Sequence, residues 1–312
     1  MTEGIRVSGT NDEWPVPEGS VAHLPFAAFA ELIIGSREEQ QDAVRIGPLP
    51  NSNGALLLVV VDGMGGHVGG GIASTLAIER FIEAMAVAGE IDARLAYALD
   101  CANSAIGDAI VQRPELRGMG CTLVGAVMVG REVQWISVGD TILAEIAHGR
   151  FHRLNADHSF APLLEAQVVR GEITVEEAQA SDQRHILRSA LTGGRIALID
   201  EGRCGLASGG LLIAASDGIH TLQANRLGEI ALTFADPQQF VLAALDDISH
   251  SMPDDQDNTT LAAALVPGKV TRPVDELLGP QRQDRKSGVI PFVVITTALL
   301  IMVATAFILF RQ

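Results

Sequence analysis

Five aspartates stand beside short apolar segments, and their number and type point to metal-ion chemistry. Asp62 ends the apolar run of VVVDGMGGH, and Asp217 ends that of LLIAASDGI. If such segments are strands that end at one edge of the core, their carboxylates raise each other's pKa unless a cation balances them. Oxygen ligands without paired histidine or cysteine favour Mg²⁺ or Mn²⁺ over zinc. The set comprises Asp42, Asp62, Asp140, Asp217 and Asp257.

Two further residues would complete this chemistry. Glycine lets the backbone turn sharply and approach an ion, so the carbonyl oxygen of Gly63 is a candidate ligand. Two adjacent ions can share a water, lower its pKa and direct hydroxide at a phosphate ester. A guanidinium holds phosphate oxygens bidentately, and Arg37 is the candidate. Taken alone, an Asp-Gly pair also fits a β-turn, and Arg37 also fits an ordinary surface position.

The elements that must position these residues are short strands and two long helices. Apolar runs bounded by glycine or charge predict strands at 26–34, 55–61, 122–129, 133–138, 142–146, 210–215 and 260–266. Short loops between several of them indicate antiparallel neighbours. Helical spacing joins Ile72, Leu76, Phe81 and Met85, and it recurs from Leu95 to Ile110. Together these patterns predict an α+β layered domain.

Composition restricts the partners. The chain has 38 acidic and 22 basic residues and a formal charge of -16, which argues against nucleic acid because that partner requires a basic surface. The three cysteines, Cys101, Cys121 and Cys204, are widely spaced and form no C-x-x-C pair. They are expected to be reduced thiols.

The C-terminal segment 289–310 has 22 residues without a charge, long enough for a transmembrane helix. Arg282, Arg285 and Lys286 precede it and Arg311 alone follows, which predicts a cytoplasmic position for the preceding domain. The expected organisation is a polar N-terminal extension at 1–20, one domain at 21–266, a linker at 267–288 and the membrane span. The protein is therefore expected in the cell inner membrane, with a single pass at its C-terminus and contact with the lipid bilayer through residues 289–310.

An ordered set of motifs resembles the metal-dependent type 2C serine/threonine protein phosphatases in their bacterial form. The motifs span about residues 30–266 and follow the family's order and approximate spacing. They are SREEQQDA, VVVDGMGGH, GMGCTLVGA, ISVGDT, NADHSF, GEITVEEA, LRSALTGG, LLIAASDGI and DDQDNTTLAAAL.

This resemblance implies a four-layer α-β-β-α sandwich with two central antiparallel sheets, and a site for two Mn²⁺ or Mg²⁺ ions. By motif position, Asp62 would bridge both ions and the Gly63 carbonyl would bind one of them. Asp217 and Asp257 would ligate the other ion. The implied reaction is hydrolysis of phosphoserine and phosphothreonine on proteins by a hydroxide that bridges the two ions.

The remaining positions also have implied roles. Asp42 matches the aspartate that steadies metal-bound water, and Arg37 matches the arginine that grips the phosphoryl group. Asp140 matches the aspartate that, with Asp217, helps to hold a third, weaker ion in many members. Residues 157–184 match a flap beside the active site. The slot where some eukaryotic relatives place a proposed general acid, a histidine, is occupied here by Met64.

Alternative functions are distinguished by specific residues. A non-catalytic, membrane-tethered phosphoprotein-binding or regulatory module on the same fold would be marked by lost metal-binding aspartates, and the core positions are all present. A nucleotide-binding protein that cradles phosphate with GGHVGGG is disfavoured, because the sequence lacks the G-x-x-x-x-G-K-[ST] pattern. A cysteine-based phosphatase lacks the arginine that it would need six residues after Cys121 or Cys204. The preferred function implies phosphoprotein substrates and an opposing serine/threonine kinase.

Overall fold

The computed structural model describes residues 26–268 except residues 53 and 252, and it describes only the backbone of residues 66–68. Within this range, ten strands form two five-stranded sheets in which every neighbouring pair is antiparallel. The strands are β1 (Ala28–Ile33), β2 (Asp42–Pro48), β3 (Ala55–Met64), β4 (Gly120–Val129), β5 (Glu132–Val138), β6 (Ile142–Ala147), β7 (Arg150–Arg153), β8 (Asp200–Gly205), β9 (Leu211–Ala215) and β10 (Thr259–Leu265).

The first sheet has the strand order β1-β10-β9-β6-β7, and the second has the order β2-β3-β4-β5-β8. Six α-helices occur in the same range: α1 (Gly66–Met85), α2 (Ile91–Gln112), α3 (Ala161–Val169), α4 (Val175–Gln179), α5 (Ala224–Thr233) and α6 (Pro237–Ser251). Two short 3-10 helices occupy Pro114–Leu116 and Asp217–Thr221.

Strand β3 shows how the layers form. Its odd-numbered side chains, such as Val59, pack in one apolar cluster with Phe81 of α1 and Leu99 of α2. Its even-numbered side chains, such as Leu58, pack in a second cluster with residues of the first sheet such as Leu212. Because side chains alternate along a strand, a one-residue slip would exchange the two faces, and the two packed faces together fix the register.

The outer face of the first sheet is covered in the same way. Phe240, Val241 and Ile248 of α6 pack with Ile213 of β9 and Leu261 of β10 in a third cluster. The two sheets therefore face each other, and helices lie on the outside of each. The expectation of two antiparallel sheets with helices on their faces is confirmed.

The seven strands predicted from apolar runs are present, and none of their ends is shifted by more than three residues. Strands β2, β7 and β8 are not among the predicted strands. The segments RFHR of β7 and DEGRCG of β8 contain little apolar sequence, and in β2 the apolar residues of DAVRIGP are interrupted by Arg45. Edge strand β8 buries none of its side chains fully. The three cysteines are free thiols, as predicted.

The proposed membrane span at 289–310 lies outside the described residues, as do the N-terminal extension and most of the linker. No helix in the described part of the chain combines the length and the apolarity that a bilayer crossing requires.

Candidate active site

An open cleft of about 1000 Å³ contains six of the seven predicted site residues in its lining. We divide this lining by its origin in the fold. The strand-end side consists of Asp62, Gly63, Thr122, Asp140, Asp217 and Asp257. The loop side consists of residues between 185 and 197, namely His185, Leu187, Arg188, Ser189, Ala190, Thr192, Arg195 and Ala197. Arg37 lines the cleft from the loop between β1 and β2, and Asp42 lies outside this lining.

Asp42 is buried behind the strand-end side and connects the two sheets. Asp42 of β2 lies opposite Asp62 of β3 in the register of the two strands. Its Oδ2 atom accepts hydrogen bonds from the Ser216 hydroxyl at 2.7 Å and from the Thr260 hydroxyl at 2.7 Å. Ser216 follows β9 and Thr260 lies in β10, so a carboxylate of the second sheet is held by two hydroxyls of the first. Neither hydroxyl residue was predicted from the sequence to belong to the site, although Ser216 immediately precedes Asp217.

Gly63 lies at a point where two backbone segments nearly touch. A Cβ atom at this position would lie 2.1 Å from the carbonyl oxygen of Gly70 in α1. The Gly63 amide also donates a 3.0 Å hydrogen bond to the carbonyl oxygen of Gln41. The glycines after Asp62 thus let helix α1 begin directly beside the end of β3, a close approach that a larger residue would prevent.

Arg37 and Asp257 form an ion pair in the cleft. The Arg37 Nη2 atom lies 2.7 Å from Asp257 Oδ2, and the two side chains are 54% and 44% exposed. Asn258 holds the loop that carries Arg37: its Nδ2 atom donates to the carbonyl oxygen of Ile34 at 2.7 Å, and its Oδ1 atom accepts from the amide of Gln41 at 2.8 Å. Asn258 was not assigned a role from the sequence.

Asp140 is buried in the turn between β5 and β6. Arg153 of β7 supports this turn, because its Nη2 atom donates to the Asp140 carbonyl oxygen at 2.9 Å and its Nη1 atom pairs with Asp157 at 3.1 Å. His158 is also buried, and its Nδ1 atom accepts a hydrogen bond from the amide of Gly139.

The electrostatics of the aspartates reflect their crowding. Burial, opposed by the Ser216 and Thr260 hydrogen bonds, raises the pKa of Asp42 to about 7. Burial and the charge of Asp217 raise the pKa of Asp140 to about 7. The pKa of Asp62 is raised well above its ordinary value by burial and then by Asp42, and that of Asp217 is raised by burial and then by Asp257. The protein alone thus disfavours simultaneous ionisation of these carboxylates, and a cation among them would reverse that preference.

The donor atoms fit hard divalent cations. Carboxylate oxygens and a backbone carbonyl are the ligands that Mg²⁺ and Mn²⁺ prefer. The Thr122 hydroxyl beside them is buried and has no hydrogen-bond partner among the described residues. Within that same range, no three Asp, Glu, His or Cys side chains are arranged closely enough to enclose an ion. Asp257 instead contacts Arg37, and Asp42 contacts two hydroxyls. The assignment of individual ligands therefore stays a prediction.

The predicted flap segment contains α3 and α4, and α4 begins with a capping box between Thr174 and Glu177. The loop side of the cleft begins at His185, directly after the flap segment. Leu191 in this part pairs with Cys121 of β4 through two backbone hydrogen bonds of 2.8 and 3.0 Å. This stretch contains the motif LRSALTGG, none of whose residues was predicted from the sequence to belong to the site.

Comparison with known proteins places this architecture among phosphatases. Residues 34–266 match the family model described as protein phosphatase 2C. The serine/threonine protein phosphatase PstP of Mycobacterium tuberculosis is 32% identical over 215 residues, which cover 63% of this chain and 41% of PstP. The chain thus spans about two fifths of the length of that relative. The protein phosphatase PhpP of Streptococcus pneumoniae is 30% identical over 174 residues, or 54% of this chain and 69% of PhpP.

Solved structures agree with the sequence relatives. The crystal structure of the M. tuberculosis phosphatase PstP/Ppp matches with a TM-score of 0.67 and 26% identity, covering 78% of this chain and 99% of that one. A structure of the PstP catalytic domain in complex with two manganese ions matches with a TM-score of 0.65 and 26% identity, over 78% of this chain and 98% of that one.

Proposed function

The chain belongs to the protein phosphatase 2C family, and from this premise we propose that it hydrolyses phosphoserine and phosphothreonine on proteins in a reaction that requires two Mn²⁺ or Mg²⁺ ions. The observation that carries the proposal is the meeting of Asp62, Asp140, Asp217 and Asp257, from separate strand ends, on one side of a cleft. Raised pKa values at three of them support a site built for cations.

The chain's own residues have distinct tasks in this reaction. When bound, the two ions lower the pKa of water and balance the negative charge of the phosphate. Asp62, Asp217, Asp257 and the Gly63 carbonyl would hold them. Arg37 would orient the phosphoryl group through its guanidinium fork, since it lines the same cleft. Asp42, held by hydroxyls from the other sheet, would keep β2 and the strand-end side in position.

A third, weaker ion site at Asp140 and Asp217 is part of the proposal. The support is electrostatic, because the charge of Asp217 is the second cause, after burial, of the raised pKa of Asp140. A cation between the two carboxylates would relieve this repulsion.

The test is phosphate release from a phosphothreonine peptide by the full-length chain in detergent. We expect activity with Mn²⁺, none with excess chelator, and recovery when Mn²⁺ is restored. Asp62→Asn and Asp217→Asn should each lower activity more than about a hundredfold, because even residues that only support ligands cost ten- to a hundredfold. Asp108→Asn, at an exposed position of α2, is the matched control. Activity that chelator does not affect would refute the proposal.

We further propose that residues 289–310 anchor the protein in the inner membrane, with the phosphatase domain in the cytoplasm. The support is the sequence alone: 22 uncharged residues, preceded by three basic residues and followed by one. Deleting 289–310 should move the protein from the membrane fraction to the supernatant. A compartment-sensitive reporter at the N-terminus should give a cytoplasmic signal, and a periplasmic signal would reverse the proposed orientation.

The expected partners follow from the chemistry. Phosphoproteins near the membrane would be the substrates, and a serine/threonine kinase would supply them. Deleting the gene should increase phosphothreonine on membrane-associated proteins, as measured by phosphoproteomics of the membrane fraction. An unchanged phosphothreonine content would contradict this assignment of substrates.

A further inference from the structure

Arg195 is an exposed arginine on the loop side of the cleft that lacks a partner within the described chain. It forms no hydrogen bond or ion pair with any described residue. The other arginines of the lining differ: Arg37 pairs with Asp257, and the Arg188 Nε atom donates to the Ser159 carbonyl oxygen at 2.9 Å. Arg195 therefore presents a guanidinium with all its donors available to a bound molecule.

The turn that carries Arg195 is fixed to helix α2. The Asn103 Oδ1 atom accepts hydrogen bonds from the amides of Thr192 at 3.2 Å and Gly193 at 3.0 Å, and its Nδ2 atom donates to the Gly194 carbonyl oxygen at 2.7 Å. Gly193 has φ of +78°, and a Cβ on it would lie 2.3 Å from the Cα of Gly107. The backbone of the turn thus packs directly against the backbone of the helix, which glycine alone permits at both positions.

The loop is also closed at its base. The Ser189 hydroxyl donates to the carbonyl oxygen of Leu198 at 2.8 Å and accepts from its amide at 2.9 Å. Together with the pairing of Leu191 and Cys121, these contacts fix the loop both before and after Arg195. The backbone at Arg195 is therefore held in place before any ligand arrives, which lowers the entropic cost of binding through its side chain.

We propose that Arg195 makes the enzyme favour phosphoprotein substrates that carry an acidic residue next to the phosphorylated serine or threonine. This inference rests on the proposed phosphatase function. Arginine is charged at all physiological pH values and binds a carboxylate through two parallel hydrogen bonds. The cleft is large enough for residues beside the phosphorylated one, and the chain as a whole carries a charge of -16. Arg195 thus provides a local positive charge that attracts an acidic segment, whereas the net negative charge of the protein repels it.

The test uses the full-length chain with Mn²⁺ and pairs of phosphothreonine peptides that differ by Glu or Gln at one flanking position, varied in turn. The readout is the ratio of kcat/KM for the two peptides of a pair. Exposed ion pairs contribute enough for a ratio of about three to five at the favoured position. Arg195→Gln should bring that ratio to about one. Arg195→Glu should invert it and favour a peptide with Lys at the same position.

Arg150→Gln is the matched control, because Arg150 is exposed on β7 and lies outside the cleft lining; it should keep the ratio of the unaltered protein. Hydrolysis of all peptides without preference for Glu would overturn this inference and leave the proposed function standing. Equal slowing of the Glu and Gln peptides by Arg195→Gln would also overturn it, since Arg195 would then act on the phosphoryl group. If no peptide loses phosphate, the proposed function fails, and this inference fails with it.

Discussion

The two sides of the cleft are built by different means. The strand-end side takes its carboxylates from β3, from the turns after β5 and β9, and from the residues before β10, so the sheets themselves position them. The loop side contains no helix or strand, and it is held by the side chains of Asn103 and Ser189 together with the backbone pairing of Leu191 with Cys121. One side is fixed by the core of the domain and the other by a few hydrogen bonds.

From this difference we infer that the strand-end side serves catalysis and the loop side serves substrate selection. Reaction chemistry requires charged groups held at fixed separations, which packed sheets provide. Selection among substrates tolerates changes in a loop, because altering a loop residue does not disturb the core. We therefore expect changes on the strand-end side to affect the rate for every substrate, and changes on the loop side to affect the ratio between substrates.

The strongest test of this contrast is Gly63→Ala. The added methyl group would lie 2.1 Å from the Gly70 carbonyl oxygen, so either β3 or α1 must move. We expect more than about a hundredfold loss of activity on all peptides, because the carboxylates lose their relative positions. Gly205→Ala is the control: a Cβ there meets no atom within 4 Å. Retention of activity by Gly63→Ala would show that the strand-end side tolerates displacement.

A smaller effect is expected for Arg37→Lys, measured as kcat/KM together with the melting temperature. Lysine keeps the charge but loses the planar fork, so activity should fall about ten- to thirtyfold on all peptides. The melting temperature should hardly change, because the pair with Asp257 is half exposed and exposed pairs contribute little to stability. Arg80→Lys alters a surface pair of similar exposure and should change neither quantity. A change in the ratio between Glu and Gln peptides would contradict the assignment of Arg37 to the phosphoryl group.

The strand-end side could be predicted from the sequence because each of its aspartates adjoins an apolar run or a strand-forming segment. The pairing of Asp42 with Asp62 was not predictable, since it depends on the register of β2 and β3. Nor were the hydroxyls of Ser216 and Thr260, which reach Asp42 only because the two sheets face each other. Local patterns indicate which residues end strands, whereas the contacts between sheets appear only in the fold.

The loop side has no comparable sequence pattern that would predict its place in the cleft. Residues 185–197 have no hydrophobic period, and their arrangement depends on Asn103, which lies about 90 residues earlier in the chain. Strand β8 was missed for a similar reason: it has two glycines, and Gly202 packs against the ring of Trp135 in β5. Helix α6 was also not predicted, although Phe240, Ala244, Leu245 and Ile248 have helical spacing, so that signal was present in the sequence.

A third prediction concerns stability and pH in the chelated protein. The pKa of Asp42 is about 7 in the folded state and 3.8 in an unperturbed Asp, so the folded state binds more protons between these pH values. The contribution of Asp42 to the free energy of unfolding is therefore largest below pH 3.8 and falls as pH rises to about 7. Asp42→Asn removes this loss and should raise the melting temperature relative to the unaltered chain near neutral pH.

At about pH 3 the two chelated proteins should melt at similar temperatures, because Asp42 is then mostly protonated in both the folded and the unfolded chain. Each pKa unit corresponds to about 1.4 kcal/mol, so the gain near neutral pH could reach a few kcal/mol. Asp108→Asn, at an exposed position of α2, is the control and should show no such change with pH. A gain for Asp42→Asn that does not vary with pH would contradict the electrostatic explanation.

The smallest expected effect is that of Asn103→Ala, which loosens the turn carrying Arg195 without altering Arg195 itself. The amides of Thr192 and Gly193 and the carbonyl of Gly194 would lose their common partner, at a cost of about 1 kcal/mol because water can replace a partly exposed hydrogen bond. A mobile turn costs more entropy to order, so the preference for the Glu peptide should fall by about half. The rate on the Gln peptide should stay close to that of Ser104→Ala, the neighbouring exposed control on α2. If the Gln peptide slows as much as the Glu peptide, the turn supports the carboxylates as well, and the two sides of the cleft do not act independently.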